Sequence, residues 1–419
     1  MKIKLIAIAT TSLLLISWLS VSCGSSQNIN SRLSLIIKPY RFSIVQWELN
    51  TISHEVNQLM FNRSEEFDDE TGVVTEYFAF VERIKTLKAE IQQINTGDSE
   101  VDSVSLEAEL NMVQEQGVAL KNTAEKIMER QIRETLAQQD IFNPIDKYIK
   151  LRITFPPVNF TLDTLPYLLV ISPRQRIESM REILLRPDLS REEMDDIELE
   201  VDKLGVSSLV VRLGGLGTTY PTFVTNEASL WFTIDTAIEE WLHQYLVFKP
   251  LGFLYLLDLT GLSRNYEIAT INETLVGMVS REIGAIVRET YYSEYGNNDN
   301  QTVESEFDFN REMREIRKAV DKYLVQGKIE RAEEYMEQKR QYLTLRGRYI
   351  RKLNQAYFAW YGTYADSPTS INPIGLELKE LRSQSDSLRG FLDTIALMTS
   401  RQELRANINA ADAIQESGK

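Results

Sequence analysis

Apolar residues recur at alternating spacings of three and four along residues 77–94 and again along residues 106–127. This is the period of an amphipathic helix. The turn-forming run Thr96-Gly97-Asp98-Ser99 separates the two series. We therefore predict that residues 24–142 contain a helical hairpin similar to a coiled coil.

The pattern changes at Asn143-Pro144. Residues 150–170 are rich in β-branched and aromatic side chains, and residues 207–213 repeat that character, so each predicts a strand. We expect two helices between them. One would begin after Ser172-Pro173 and the other would run from Ser190 towards Leu204, with Ser190 and Glu193 forming a capping box. The glycine-rich run 214–217 lacks the Gly-Lys-Ser/Thr ending of a phosphate-binding loop and indicates a turn leaving the second strand.

The rest of the chain returns to a helical pattern. Two long helices are predicted at residues 309–324 and 329–356, separated by Gln326-Gly327-Lys328. The predicted fold is thus α+β and predominantly helical: the hairpin, then a domain with a small sheet over residues 143–407, and a tail at 408–419.

The amino-terminal residues 1–23 have the pattern of an export segment. Lys2 and Lys4 precede an apolar run at residues 5–21, and small residues lead to Cys23. The run Ser20-Val21-Ser22-Cys23 resembles a bacterial lipoprotein box, except that Ser20 stands where such boxes usually carry leucine. Lipidation at Cys23 or an uncleaved signal anchor both tether the chain to a membrane, on its extracytoplasmic side.

Charge and cysteine content narrow the function classes. The formal net charge is −15, so we expect repulsion from nucleic acid and from anionic lipid surfaces. Cys23 is the only cysteine, which excludes an internal disulfide and a cysteine nucleophile in the body of the protein.

The strongest chemical signal is the run Glu239-Glu240-Trp241-Leu242-His243, which is followed by Asn272-Glu273-Thr274. On a helix, Glu239 and His243 project from one face, and Glu240 lies at its edge. The surrounding segment is too apolar for a free surface helix, so these polar groups need partners. A metal site, a satisfied polar cluster and a decayed site are the alternatives. A di-iron site needs a second Glu-x-x-His pair, and the only other histidine, His54, has Thr51 three residues before it.

This run resembles the His-Glu-x-x-His helix of gluzincin-type zinc metallopeptidases, with glutamate in the first ligand position. The resemblance implies that Glu239, His243 and Glu273 bind the metal and that Glu240 is the general base. Zinc is the expected ion, with manganese or iron as alternatives because two carboxylates are harder ligands. Gly277 replaces the acidic residue that some of these families carry four positions after the glutamate ligand. The strand at residues 209–213 would be the edge on which a peptide substrate pairs.

Tyr357, Tyr361 and Tyr364 lie at helical spacing in an aromatic segment. One of these hydroxyls is a candidate donor to the oxyanion of a tetrahedral intermediate, as an alternative to a purely packing role. The sequence thus predicts a membrane-tethered, extracytoplasmic metallopeptidase acting on a peptide or protein. The alternative is a catalytically inactive scaffold or binding protein of the cell envelope.

Overall fold

The computed structural model describes residues 27–42, 69–94, 104–145, 152–217, 219–295 and 307–417. These residues form thirteen α-helices and two three-stranded sheets, which confirms the predominantly helical α+β fold. The export segment, Cys23, His54 and the hairpin turn at 96–99 lie outside the described residues. Within the described ranges, the helices are too short or too polar for any of them to span a bilayer.

The helices, in chain order, are α1 (Gln27–Ile37), α2 (Glu70–Gln93), α3 (Val104–Gln138), α4 (Arg191–Asp202), α5 (Leu230–Leu246), α6 (Pro250–Leu259), α7 (Tyr266–Tyr291), α8 (Phe309–Val325), α9 (Ile329–Leu345), α10 (Gln355–Tyr361), α11 (Ile374–Ser383), α12 (Leu388–Ala396) and α13 (Arg401–Ser417). The strands are β1 (Phe160–Asp163), β2 (Tyr167–Pro173), β3 (Arg181–Leu185), β4 (Val206–Arg212), β5 (Gly215–Leu216) and β6 (Thr222–Thr225).

Helices α2 and α3 pack as the predicted antiparallel hairpin. Arg83 of α2 contacts Glu109 near the start of α3, and Glu70 contacts Arg130 near its end. The apolar faces of both helices belong to the same hydrophobic core as α5 and α7. Burying these faces against the rest of the molecule stabilises the hairpin beyond what helix propensity supplies.

The first sheet has the antiparallel order β3-β2-β4. One face packs on α1 and α4, and the other packs on α10. The capping box at the start of α4 is confirmed, because Ser190 and Glu193 exchange both hydrogen bonds. The helix predicted after Ser172-Pro173 was wrong. Pro173 is the last residue of β2, and the chain returns as β3, because pairing on both sides of β2 outweighs the local helix-start signal.

The second sheet has the order β1-β6-β5, with β1 parallel and β5 antiparallel to β6. The glycine-rich run that we predicted as a turn contributes β5. Helix α5 packs on this sheet and crosses α7 at the centre of the largest core. The sheet therefore supports the helix that carries the candidate site.

Two predicted boundaries in the carboxyl-terminal part differ from the structure. The helix predicted to reach residue 356 ends at Leu345, and Gly347 follows with a φ of +75°, a conformation that glycine adopts without strain. Helix α13 extends to Ser417, and its Ile408 is buried in the main core, so the predicted tail begins as packed helix.

Candidate metal centre

Helices α5 and α7 position the candidate ligands. Each begins at a side-chain cap: Ser229 accepts from the amide of Phe232, and Asn265 accepts from the amide of Ile268. Both helices bury most of their length in the main core. Their facing sides are therefore fixed by packing before any ion is considered.

Glu239 and His243 of α5 face Glu273 of α7. One ligand atom from each of the three side chains lies within 4.8 Å of the other two. His243 Nε2 is 3.9 Å from the Oε1 atom of Glu273, and the two side chains are 17% and 11% exposed. The structure thus brings the three predicted ligands together at a place that a small ion can reach.

The donor set fits a divalent ion. Donors bound to a tetrahedral zinc at 2.0–2.2 Å are about 3.4 Å apart, so an ion would draw this cluster together by roughly 1 Å at its widest pair. Two carboxylates and one imidazole are ligands for zinc, manganese and iron. The ligand chemistry and spacing are compatible with such an ion.

Glu240 lies about 100° round α5 from Glu239, against β5 and within electrostatic range of Glu239 and Glu273. A Cβ atom on Gly215 would lie 2.4 Å from Oε1 of Glu240, and one on Gly217 would lie 2.4 Å from Oε2. The backbone N–H of Gly217 interacts with the same carboxylate. A side chain at either position would displace the Glu240 carboxylate from its place against β5.

The edge strand beside the site helix is β5, which corrects the prediction that residues 209–213 fill this place. Those residues mostly form β4, which pairs with β2 in the other sheet and packs on α4 and α10. Their β-propensity predicted a strand, but only the tertiary structure assigns each strand to a sheet.

Tyr255 of α6 is a site residue that the sequence analysis missed. Its hydroxyl donates a hydrogen bond to Oε1 of Glu273, and its ring stacks on the His243 imidazole with centroids 5.5 Å apart. The sequence feature that could have identified Tyr255 is the composition of α6, in which Tyr255 and Asp258 are the only residues with polar side-chain groups.

Tyr364 is the one of the three candidate tyrosines that reaches the site. Its hydroxyl donates to Oε1 of Glu239 at 2.5 Å. Helix α7 holds its segment, because the hydroxyl oxygen of Thr274 accepts from the amide of Ala365 at 2.9 Å. A Cβ atom on Gly277 would lie 3.2 Å from the Tyr364 ring. Gly277, which stands where some gluzincin-type families carry an acidic residue, therefore leaves room for the Tyr364 ring.

Tyr357 and Tyr361 lie elsewhere. Their rings contact each other with centroids 4.5 Å apart; Tyr357 packs beside the first sheet and Tyr361 is 42% exposed. Helix α10 ends at Tyr361, so the helical spacing that grouped the three tyrosines stops before Tyr364.

Burial is the main cause of the pKa shifts at the candidate metal centre. It raises the pKa values of Glu239, Glu240 and Glu273, and for Glu240 the neighbouring carboxylates raise the pKa further. Burial lowers the pKa of His243, which favours the neutral imidazole that binds metals. The Asn272 carboxamide interacts with that ring and opposes the shift, although Nδ1 has no hydrogen bond of ordinary geometry.

No protein-family model, no curated protein and no solved structure matches this chain.

Proposed function

We propose that this protein is a metal-dependent hydrolase of peptide bonds, with the metal bound by Glu239, His243 and Glu273. The observation that carries the proposal is the convergence of these donors, drawn from two helices, within 4.8 Å of one another. Three carboxylates, one buried and two half-buried, lie around one neutral imidazole and concentrate negative charge, and a divalent cation is the natural compensation.

A bound zinc, manganese or iron ion would polarise the scissile carbonyl and acidify a water molecule. Glu240 then takes the proton of that water and passes it to the leaving amine. Its raised pKa, caused by burial and by Glu239 and Glu273, suits a group that both accepts and returns a proton. Tyr364 donates its single hydroxyl proton to Glu239 and so orients this ligand. To stabilise the negative charge that develops on the carbonyl oxygen, the same proton would have to turn from Glu239 to the substrate.

A peptide or protein is the substrate class that the surroundings favour. In the described residues, β5 is an edge strand of its sheet and lies directly against Glu240. An extended peptide that pairs with this edge would bring its backbone to the general base. The two glycines keep side chains of the protein out of the approach to the base.

The test is metal analysis of native protein purified without chelator, followed by assays on casein and fluorogenic peptides. We expect near-stoichiometric zinc, manganese or iron. Glu240→Gln should retain the metal and lose at least 100-fold in activity, because it removes the proton acceptor and no ligand. His243→Ala should lose both the metal and the activity.

Glu239→His separates an active site from a decayed one. In an active site it should shift the preference towards zinc, because an imidazole replaces a harder carboxylate. If the native protein binds no metal and Glu239→His gains it, the catalytic proposal fails. The inactive scaffold or binding protein of the cell envelope then takes its place.

Export and membrane tethering through residues 1–23 complete the proposal. The basic start, the apolar run and the single Cys23 support a lipid anchor at that cysteine. Mass spectrometry of the mature amino terminus should find a lipidated Cys23. An uncleaved Met1 would instead identify a signal anchor.

A further inference from the structure

Helix α6 has an unusual outer face. Its inner side carries the buried Leu251 and Asp258 and the site residue Tyr255. With about 100° between successive residues, the opposite side carries Phe253, Leu256 and Leu257. The only charged residue of the helix therefore points inward, and the side facing away from the core is apolar.

The apolar surface continues beyond the helix. Phe248 precedes α6 and is 47% exposed, Phe253 is 48% exposed, and Leu259 and Leu262 at the other end are 43% and 55% exposed. Phe248 also contacts the ring of Phe155, with centroids 5.4 Å apart. We name these residues the α6 patch: Phe155, Phe248, Phe253, Leu256, Leu257, Leu259 and Leu262. Exposed apolar side chains gathered along one helix and at its two ends, rather than scattered singly, mark an interaction site.

A tether at Cys23 can reach the part of the molecule that contains α6. Asn30 of α1 accepts a hydrogen bond from Arg181 of β3 at 2.9 Å. The next residue, Glu182, is within electrostatic range of Glu273 and of Asp258 and Arg264, at the carboxyl-terminal end of α6 and just beyond it, so α1 and β3 lie near α6. Cys23 is seven positions before Asn30, and an extended chain spans at most about 3.5 Å per residue, so a tether at Cys23 is within roughly 25 Å of Asn30.

We propose that the α6 patch rests on the surface of a phospholipid bilayer. Aromatic and leucine side chains at the end of a short helix insert into the boundary between headgroups and acyl chains, which removes apolar surface from water. With ten residues, α6 is too short to cross a bilayer, so it lies on the surface. A tether that holds the protein at the membrane makes this weak contact effectively intramolecular.

Neutral headgroups fit the charge of the protein. The net charge of −15 opposes approach to anionic lipid, and the patch itself presents no charged side chain. Because Tyr255 joins α6 to Glu273 and His243, the same contact would place the candidate metal centre close to the membrane. The docking inference does not depend on catalysis and stands if the peptidase proposal fails.

The experiment uses the full chain with Cys23→Ser, so that one introduced cysteine can carry an environment-sensitive fluorophore, and an amino-terminal histidine tag bound to a small fraction of nickel-chelating lipid replaces the lost tether. Phe253→Cys and Leu262→Cys report on the patch. Leu345→Cys is the matched control, because Leu345 is an apolar residue with 87% exposure at the end of α9. Each labelled protein is first compared with the unlabelled chain by circular dichroism and thermal unfolding, and one of the two patch positions suffices if the other perturbs folding.

In phosphatidylcholine vesicles, we expect blue-shifted emission at positions 253 and 262 and at least twofold stronger quenching by headgroup-region nitroxide lipids than at position 345. Equal quenching at patch and control positions overturns the proposal. A shift that disappears on dilution of the protein at constant lipid identifies a second copy as the partner and also overturns it. A shift that requires anionic lipid contradicts the assignment to neutral headgroups.

Discussion

Two groups of buried carboxylates in this protein are stabilised in opposite ways. Glu125 and Glu129 on α3, and Glu198 on α4, are each less than 6% exposed and accept hydrogen bonds from strand amides. Glu239 and Glu273 at the candidate metal centre are bonded to the hydroxyls of Tyr364 and Tyr255 instead. Glu273 is buried and Glu239 is half-buried, so both groups lie largely away from water, but their partners differ.

The carboxylates of the first group accept hydrogen bonds from amides at the edges of the sheets. Glu125 accepts from the amide of Leu162 at 2.6 Å, and Glu129 accepts from the amide of Phe160 at 3.0 Å, so α3 satisfies the outer edge of β1. Glu198 does the same for Val210 of β4 and also binds Arg351 and Lys352. Amides and cations together offset the cost of burying these charges.

At the candidate metal centre, Glu240 interacts with the amide of Gly217, which follows β5. The arginine within electrostatic range of Glu239 is Arg281, which is half-exposed and paired with Asp366. Nothing about the fold requires three carboxylates here, whereas β1 and β4 need acceptors at their edges. A buried acidic cluster without strand ends to satisfy is therefore the better candidate for function.

The largest expected effect is a loss of stability when a carboxylate of the first group is removed. Glu198→Ala removes the buried carboxylate that Arg351 and Lys352 share, leaving Arg351 with Asp195 and Lys352 with Asp202, and it leaves the amide of Val210 without its acceptor. We expect a loss of on the order of 3 to 5 kcal/mol in the free energy of unfolding, measured with urea. Glu200→Ala is the control, since its exposed pair with Lys203 should contribute less than about 1 kcal/mol. Equal effects would remove the distinction between edge-satisfying and surface carboxylates.

Glu125 should make stability depend on pH. Burial raises its pKa to about 7. Between the ordinary value of 4.5 and pH 7 the folded protein holds a proton that the unfolded chain has released. This contribution is therefore complete below pH 4.5 and is lost as the pH rises through 7, a change of roughly 3 kcal/mol.

Glu125→Gln keeps an acceptor for the amide of Leu162 and cannot ionise. Denaturant unfolding from pH 4.5 to 8 should show a flatter stability profile for this variant than for the native chain. Glu115→Gln, on the exposed surface of the same helix, should leave the slope unchanged. Parallel profiles for all three proteins would contradict the assigned pKa.

At the candidate metal centre, Tyr364→Phe removes the donor that orients Glu239. We expect metal affinity to fall about 10- to 100-fold, because groups that orient a ligand contribute this much to binding. Competition with a chromogenic chelator measures the change. Tyr361→Phe is the matched control on the same segment and should have no effect on affinity.

The smallest expected effect is a stabilisation, opposite in sign to the destabilisation expected for Glu198→Ala. In metal-free protein at pH 8, Glu239→Gln should raise the free energy of unfolding by about 1 kcal/mol, since it removes one of several mutually repelling buried charges. Thermal unfolding in the presence of chelator tests this. A destabilisation as large as that of Glu198→Ala would mean that the cluster is structural.

The candidate ligand set was predictable because it depends on local periodicity and side-chain chemistry. Glu239 and His243 are four residues apart on a strongly apolar helix, and any helix there places them on one face. Glu273 followed from the resemblance, and the packing of α7 on α5 brings it to 3.9 Å from His243. The capping box of α4 and the hairpin of α2 and α3 were predictable for the same local reason.

What the sequence by itself determined is the set of helices with a regular period, the caps that begin them and the identity of the metal-binding candidates. Only the tertiary structure decided that β5, and not residues 209–213, lies against Glu240, that Tyr364 and not Tyr357 or Tyr361 reaches the site, and that Tyr255 completes it. These choices depend on which surfaces pack across long separations in the chain. Pairing between strands and packing between helices are selected by the whole core, and no local pattern of residues encodes them.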